Sequence, residues 1–242
     1  MSRTCIGTAG WSIPRAEQSR FPPGESHLVR YAQVFQGVEI NSTFHRPHRA
    51  TTFERWAGSV PRGFRFSVKL PRAITHDQRL SKPSALLDGF LAELAPLGSR
   101  LGCLLVQLPP SLAFEARSAR AFFAALRKRF DRGVALEPRH VSWFEARADR
   151  LLQDFEVARV AADPPRAASD GEPGGWRGLA YFRLHGAPRI YYSSYEDDFL
   201  AALATRLRAL QRRRIPTWCI FDNTTLGAGT GNALSLKLRM QR

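Results

Sequence analysis

Apolar runs that end abruptly in polar residues recur along the chain. Val134-Ala135-Leu136 runs into Glu137-Pro138-Arg139-His140, and Gly37–Asn41, Phe64–Lys69, Gly102–Gln107, Val157–Asp163, Leu179–Gly186 and Pro216–Asn223 repeat the arrangement. With the opening run Thr4–Thr8 these segments read as eight strands, apolar enough to be covered on both faces as parallel strands are. Between them apolar residues fall at helical spacing: Leu28, Tyr31, Ala32 and Phe35, then Phe53 and Trp56 within Thr51–Ala57, then Leu86–Leu97. The pattern continues with Phe122, Phe123, Leu126 and Phe130 in Ser118–Phe130, a short Leu151–Phe155, Phe199–Leu210, and a last helix from near Gly231. Strands alternating with helices argue for parallel pairing, and at 242 residues the economical α/β fold is a single (β/α)8 TIM-type barrel over residues 1–242. An open doubly wound sheet is the alternative, but no G-x-G-x-x-G follows a strand, which weakens its dinucleotide-binding form. Residues 164–178 are rich in Pro, Gly and Ser, so the sixth helix is expected to be shortened or missing.

Strand residues i and i+2 share a face. If the large apolar residues face helices, Glu39, Asn41, Lys69, Gln107, Glu137, Asp163, Arg183 and His185 point inward near the strands' C-terminal ends, where barrel enzymes carry their sites. Asp222 and Asn223 follow the last strand onto the same rim, and Trp11, His45, Arg139, His140 and Trp143 lie on adjoining loops. Buried charges must be paired, solvated or met by a ligand. A structural ion pair of Arg183 with Glu39 or Glu137 would explain one or two of them; eight polar strand ends together favour a site.

The residue types suggest acid–base chemistry. Glu39 and Glu137 are candidate acid or base, His185 a proton shuttle, and Arg183, Lys69 and Arg139 clamps for developing negative charge. Asn41 and Asn223 would orient the substrate, and Trp11, His45, Gln107, His140, Trp143, Asp163 and Asp222 would complete its surroundings. Gly227–Asn232, just before the last helix, is a candidate anion cradle. The reading is an enzyme of hydrolase, isomerase or lyase type for an anionic or phosphorylated small molecule.

Charge sharpens the choice of partner. The formal net charge is +15, carried by 32 Arg and 4 Lys, which favours anionic partners through long-range steering. A non-catalytic nucleic-acid-binding protein is therefore the alternative, using Arg206, Arg208 and Arg212–Arg214 with Trp11, Trp143, Tyr191 and Tyr192. That cluster closes a helix away from the expected rim and reads equally as a solvated face. A metal-dependent phosphodiesterase or nuclease-like barrel would recruit Glu39, Glu137, Asp163, His140, His185 and Asp222. No H-x-H spacing supports it and Lys69 and Arg183 would repel the cation, so no cofactor or metal ligand is assigned. His27 and His76 have no periodic partner and read as surface residues. Cys5, Cys103 and Cys219 sit singly in apolar runs and read as reduced core thiols of a cytoplasmic protein. No apolar run approaches the ~18 residues of a membrane span.

Six blocks in order resemble the signatures of the YecE-like family: Gly7–Trp11, Val38–Phe44, Gln107–Pro110, Glu137–Trp143, Arg183–Gly186 and Phe221–Thr224. The resemblance covers nearly the whole chain and implies a TIM-type barrel. That family's reaction is not established, so it implies no activity. The chain departs from the pattern at Ala9, where Ser is usual, His45, where Tyr is usual, Asp222, where Asn is usual, and Ile13, where an aromatic is expected.

Overall fold

A computed structural model of the protein describes residues 4–165 and 171–241. The elements are β1 (Thr4–Thr8), α1 (His27–Val34), β2 (Gly37–Ile40), α2 (Ala50–Gly58), β3 (Arg65–Lys69), α3 (Ser84–Leu94), β4 (Leu101–Gln107), α4 (Ala116–Arg127), β5 (Gly133–Glu137) and α5 (Ala146–Asp154). There follow β6 (Val157–Arg159), β7 (Ala161–Asp163), β8 (Gly174–Gly175), β9 (Ala180–Leu184), α6 (Asp197–Arg212), β10 (Thr217–Phe221) and α7 (Ala228–Gln241). Helix starts follow local chemistry. Ser26 Oγ accepts from Val29 N at α1 and the Glu115 carboxylate accepts from Arg117 N and Ser118 N at α4, each satisfying first-turn N–H groups that have no partner within the helix.

Backbone hydrogen bonds arrange the strands in two sheets, in the orders β1-β10-β9-β7 and β2-β3-β4-β5-β6-β8. Every pairing is parallel except β6 with β8. The sheets adjoin twice. The expected sixth strand is split: β6 pairs with β5, β7 pairs with β9, and only Val160 separates them, donating its N–H to Leu136 O. At the other seam β1 and β2 meet through a single parallel bridge, Ala9 with Glu39, where Gly10 N also donates to Glu39 O. Glycine permits this approach: a Cβ on Gly7 would lie 2.2 Å from Gly37 O. The hydrogen bonding thus falls short of the single closed sheet expected from the sequence.

Apolar side chains form two layers. Val38, Val68, Val106, Leu136, Phe182 and Phe221 pack in the larger cluster with helix residues such as Phe53, Leu87 and Phe122. A smaller cluster draws Cys5, Tyr181, Trp218 and Ile220 from one sheet and Cys103, Leu105, Ala135 and Ala158 from the other, with Val160 between them. The three cysteines are free and buried, as expected of core thiols. Between β7 and β9 the described residues form no helix, only β8; residues 166–170 of that expected loop lie outside the described residues. α5 and α7 begin earlier than the apolar spacing suggests, and a π-helical turn at Ala73–Asp77 follows β3 unannounced by any pattern. Among the described residues no helix is long and apolar enough to cross a membrane.

Candidate functional site

Strand parity brings three of the expected residues together. Val38 and Ile40 join the outer apolar cluster, so Glu39 turns inward; Leu136 does the same for Glu137, and Phe182 and Leu184 for Arg183. Arg183 is 1% exposed and lies among three carboxylates. Its Nη2 donates to Glu39 Oε1 (2.8 Å), its Nε to Glu39 Oε2 (3.1 Å) and its Nη1 to Glu137 Oε2 (3.0 Å), while Nη2 also lies 3.1 Å from Asp222 Oδ2. Tyr181, of the same parity, donates its hydroxyl to Glu39 Oε2 (2.8 Å) and meets Ser67 Oγ at 2.9 Å. Its ring stacks on Trp218 in the inner apolar cluster. Tyr181 therefore joins the polar network to the apolar layer.

His185 extends the network. Its Nδ1 lies 2.9 Å from Asp222 Oδ2 and its Nε2 2.9 Å from Glu137 Oε1. A carboxylate at each ring nitrogen favours the doubly protonated imidazolium. Burial opposes that charge, but Glu137 and the hydrogen bonds to Asp222 and Glu137 outweigh it and raise the pKa. Burial likewise pushes Glu137 up, yet Arg139, Arg183 and His185 together hold it well below the usual carboxylate range. Asp222 is lowered in the same way against its burial, chiefly by Arg183 and His185, and Arg183 is raised against its own burial by Asp222, Glu39 and Glu137.

Two further cations sit at this end. Arg139 Nη2 is 2.5 Å from Glu137 Oε1 and 3.2 Å from His185 Nε2, and its buried Nε has no hydrogen-bond partner. Lys69, 6% exposed, rests its ammonium over the Phe44 ring (4.0 Å to the centroid) and makes no ion pair among the described residues. Burial, then Arg183, lowers its pKa to about 8, against the pull of Glu39, Glu137 and Asp222. Asn41 follows β2, whose Ile40 is in register with Val68, so it stands level with Lys69; its buried Oδ1 has no partner. Gln107 lies in register beside Glu137. Three carboxylates face two guanidiniums, one ammonium and one imidazolium, which leaves one positive charge in excess.

Other expected residues lie elsewhere. Trp143 is not on the rim: it is 1% exposed, packs against Phe114 and donates its indole N–H to Leu112 O. His140 holds its own loop, accepting from Ser142 N at the start of a 3-10 turn. Asp163 shares its face with Ala161 of the outer cluster, and its Oδ1 accepts from the Tyr195 hydroxyl (2.7 Å). Asn223 is a loop anchor, donating to Ser193 O and Asn232 Oδ1. The glycine run is no open cradle, because Gly227, Gly229 and Thr230 N–H groups already donate to Thr224, Asn223 and Gly227 carbonyls. Trp11 packs edge-on against Trp56, and His45 is exposed beside Phe44. Among the described residues no three His, Cys, Asp or Glu side chains are grouped to hold a metal ion.

Sequence reasoning missed Tyr181, Phe44 and His76. The parity of Arg183 and His185 was signal enough for Tyr181. His76 stands on the π-helical turn, not apart on the surface; its ring packs edge-on against Phe44, and burial, Lys69 and Arg72 lower its pKa.

The comparisons agree with the resemblance read from the six blocks. The family described as protein of unknown function DUF72 matches residues 5–242. UPF0759 protein YecE of Escherichia coli K12 is 32% identical over 166 residues, 65% of this chain and 58% of that protein. UPF0759 protein YunF of Bacillus subtilis 168 is 28% identical over 148 residues, 57% of this chain and 51% of that protein. The chain thus matches little more than half the length of these relatives. Crystal structures of DUF72 family proteins superpose over 99% of this chain: one from Enterococcus faecalis V583 (TM-score 0.82, 21% identity, 96% of that chain) and one from Thermotoga maritima MSB8 (TM-score 0.80, 25% identity, 99% of that chain). With a profile match over almost its entire length, the chain belongs to the YecE-like DUF72 family.

Proposed function

We propose that the two sheets act as one (β/α)8 barrel domain whose polar end is the active site of a cytoplasmic acid–base enzyme for a small anionic substrate. The barrel reading rests on the two seams and on an inner cluster shared by both sheets. The functional reading rests on one observation: Lys69 is a buried ammonium without a carboxylate partner, and it supplies the one positive charge by which the site exceeds its carboxylates. Uncompensated buried charge is costly, so an anion that completes the pairing binds with a gain the empty site lacks. Arg139, with an unpartnered Nε, is the second contact for that anion, and Asn41 Oδ1 is the acceptor for a substrate hydroxyl or amide.

Roles follow from which groups can exchange a proton and which only hold the others in place. Arg183 and Glu39 are saturated by each other, by Tyr181, by Glu137 and by Asp222, so they position the site. His185 is the acid, and Glu137, which faces both His185 and Arg139, is the group that exchanges the proton. Asp222 holds the far side of the ring. The reading assigns no metal, since the carboxylates a cation would need are turned to Arg183, Arg139 and His185.

Inorganic phosphate and small dicarboxylates test this by thermal denaturation. A ligand that binds only the folded protein stabilises it by about 2.7 kcal/mol at a hundredfold excess over Kd. Wild-type protein is expected to show a rise in Tm with at least one of these anions, and Arg139→Gln to abolish most of it. No anion shifting Tm, or shifts indifferent to Arg139→Gln, would overturn the reading.

A further inference from the structure

We infer that Lys69 is a nucleophile that forms an imine with a small carbonyl compound carrying an anionic group. This rests on the anion-pocket reading and names its substrate class. The first observation is placement. Lys69 ends β3 at the polar end of the strands, nearly buried, with Phe44 beneath its ammonium and no ion pair among the described residues. An ammonium meant only to stabilise the fold would be expected to sit against a carboxylate; here all three are turned to guanidiniums or His185. A desolvated lysine beside other cations is the setting in which the neutral, nucleophilic amine becomes accessible near neutral pH.

The second observation is what surrounds it. Arg139 presents the unpartnered Nε that would hold a carboxylate or phosphate, and Asn41 Oδ1, level with Lys69, would accept from a hydroxyl. His76 packs on the same Phe44 ring as Lys69, and its lowered pKa leaves a neutral imidazole there to take a proton. The step balances without a further reactant. Lys69 gives one proton to His76 or solvent, its nitrogen lone pair attacks the carbonyl carbon, and the carbonyl oxygen takes up a proton to give a carbinolamine. Loss of that oxygen as water then leaves the protonated C=N bond. Nothing is oxidised or reduced, and the net change is ammonium plus carbonyl giving iminium plus water.

The test uses the wild-type protein with glyoxylate and cyanoborohydride, which reduces an imine to a stable carboxymethyl-lysine read by peptide mass spectrometry. The chain has four lysines, and Lys82 and Lys128 are exposed, so they report ordinary surface reactivity in the same sample. With a pKa of about 8, Lys69 at pH 8 holds a neutral fraction roughly a hundredfold above that of an ordinary lysine. Labelling of Lys69 is expected to be roughly tenfold or more faster than at Lys82 and Lys128 after allowance for burial. It should climb through pH 8 and level off above it, and acetaldehyde, lacking the anionic group, should label Lys69 more slowly than glyoxylate does. Labelling of Lys69 no faster than of the exposed lysines overturns the nucleophile, and equal rates with acetaldehyde overturn the anionic group. If phosphate still raises Tm while Lys69 stays unlabelled, the imine falls and the anion pocket stands; if both fail, both readings fall.

Discussion

Arg183 on β9 and His185 just past its end divide the work of holding three buried carboxylates, and their pH behaviour differs. The guanidinium stays charged at any accessible pH. His185 does not: its folded pKa is raised above about 6.5, so its contribution to stability is complete below that value and is lost as pH rises through the folded pKa. Glu137 and Asp222 are depressed, so theirs is present above the ordinary carboxylate range and lost as pH falls. Urea unfolding between about pH 5 and pH 9 should therefore show a declining component on the alkaline side that His185→Asn removes, set against the rise that Lys69, with its pKa lowered to about 8, contributes above that pH. The same decline in the variant would show that His185 is not an imidazolium in the fold. These residues were legible because each follows or precedes a large apolar neighbour that marks the outer face: Leu136 before Glu137, Phe182 and Leu184 around Arg183. Asp163 was misread because Val157-Ala158-Arg159-Val160-Ala161-Ala162 has no such marker; alanines fit either face, and polarity alone was a poor guide to direction. Trp143 was misread because an indole beside charged residues looks like a binding surface, while its N–H had a backbone carbonyl to satisfy it in the core.

The seam between β1 and β2 is where element and side chain depend on each other. Pairing there is a single bridge, and the strands approach so closely at Gly7 that an added methyl would meet Gly37 O at 2.2 Å and the Tyr31 hydroxyl at 2.8 Å. Neither backbone can yield without moving a strand, and Tyr31 Oη also accepts from Thr8 N. Gly7→Ala is expected to cost about 1–3 kcal/mol through forced displacement. Gly89→Ala, in the middle of α3 where a Cβ meets nothing within 4 Å, should stabilise by up to about 1 kcal/mol from helix propensity. Thermal unfolding of the two variants checks the pair; a harmless Gly7→Ala would mean the seam opens freely. Periodicity found the strands and the helices at this scale because each buries one consistent face over several residues. It could not find the π-helical turn at Ala73–Asp77, which at five residues is little more than one turn, nor the break at Val160, where an unbroken extended run changes partners without any change of sequence character.

Across the whole molecule the charge of +15 acts differently from the one excess charge of the pocket. Part of it lines a cleft of about 770 Å³ between α4 and α5, where Arg117, Arg120, Arg147 and Arg150 stand with one carboxylate among the described lining residues, Asp154, which is paired with Arg120. Such exposed arginines attract any polyanion by releasing its counterions, a force that fades as salt approaches physiological strength. The buried Arg139, already against Glu137, contributes nothing to that long-range field that its partner does not cancel. Single-stranded DNA is thus expected to bind at low salt and to be released by about 0.15 M, with log K falling linearly in log salt. Arg147→Gln with Arg150→Gln should make that slope shallower by about 0.7 for each guanidinium that meets a phosphate, whereas Arg139→Gln should leave the slope unchanged. The anion-induced rise in Tm should respond in the opposite way, vanishing with Arg139→Gln and surviving the surface pair. DNA binding that persists above physiological salt and depends on Arg139 would reverse the assignment, making the pocket a nucleic-acid site and the acid–base reading wrong. A charge total carries no address, so the sequence could name anionic partners as a class while leaving surface attraction and pocket recognition indistinguishable; the fold separates them by burying one set of cations against carboxylates and leaving the other in water.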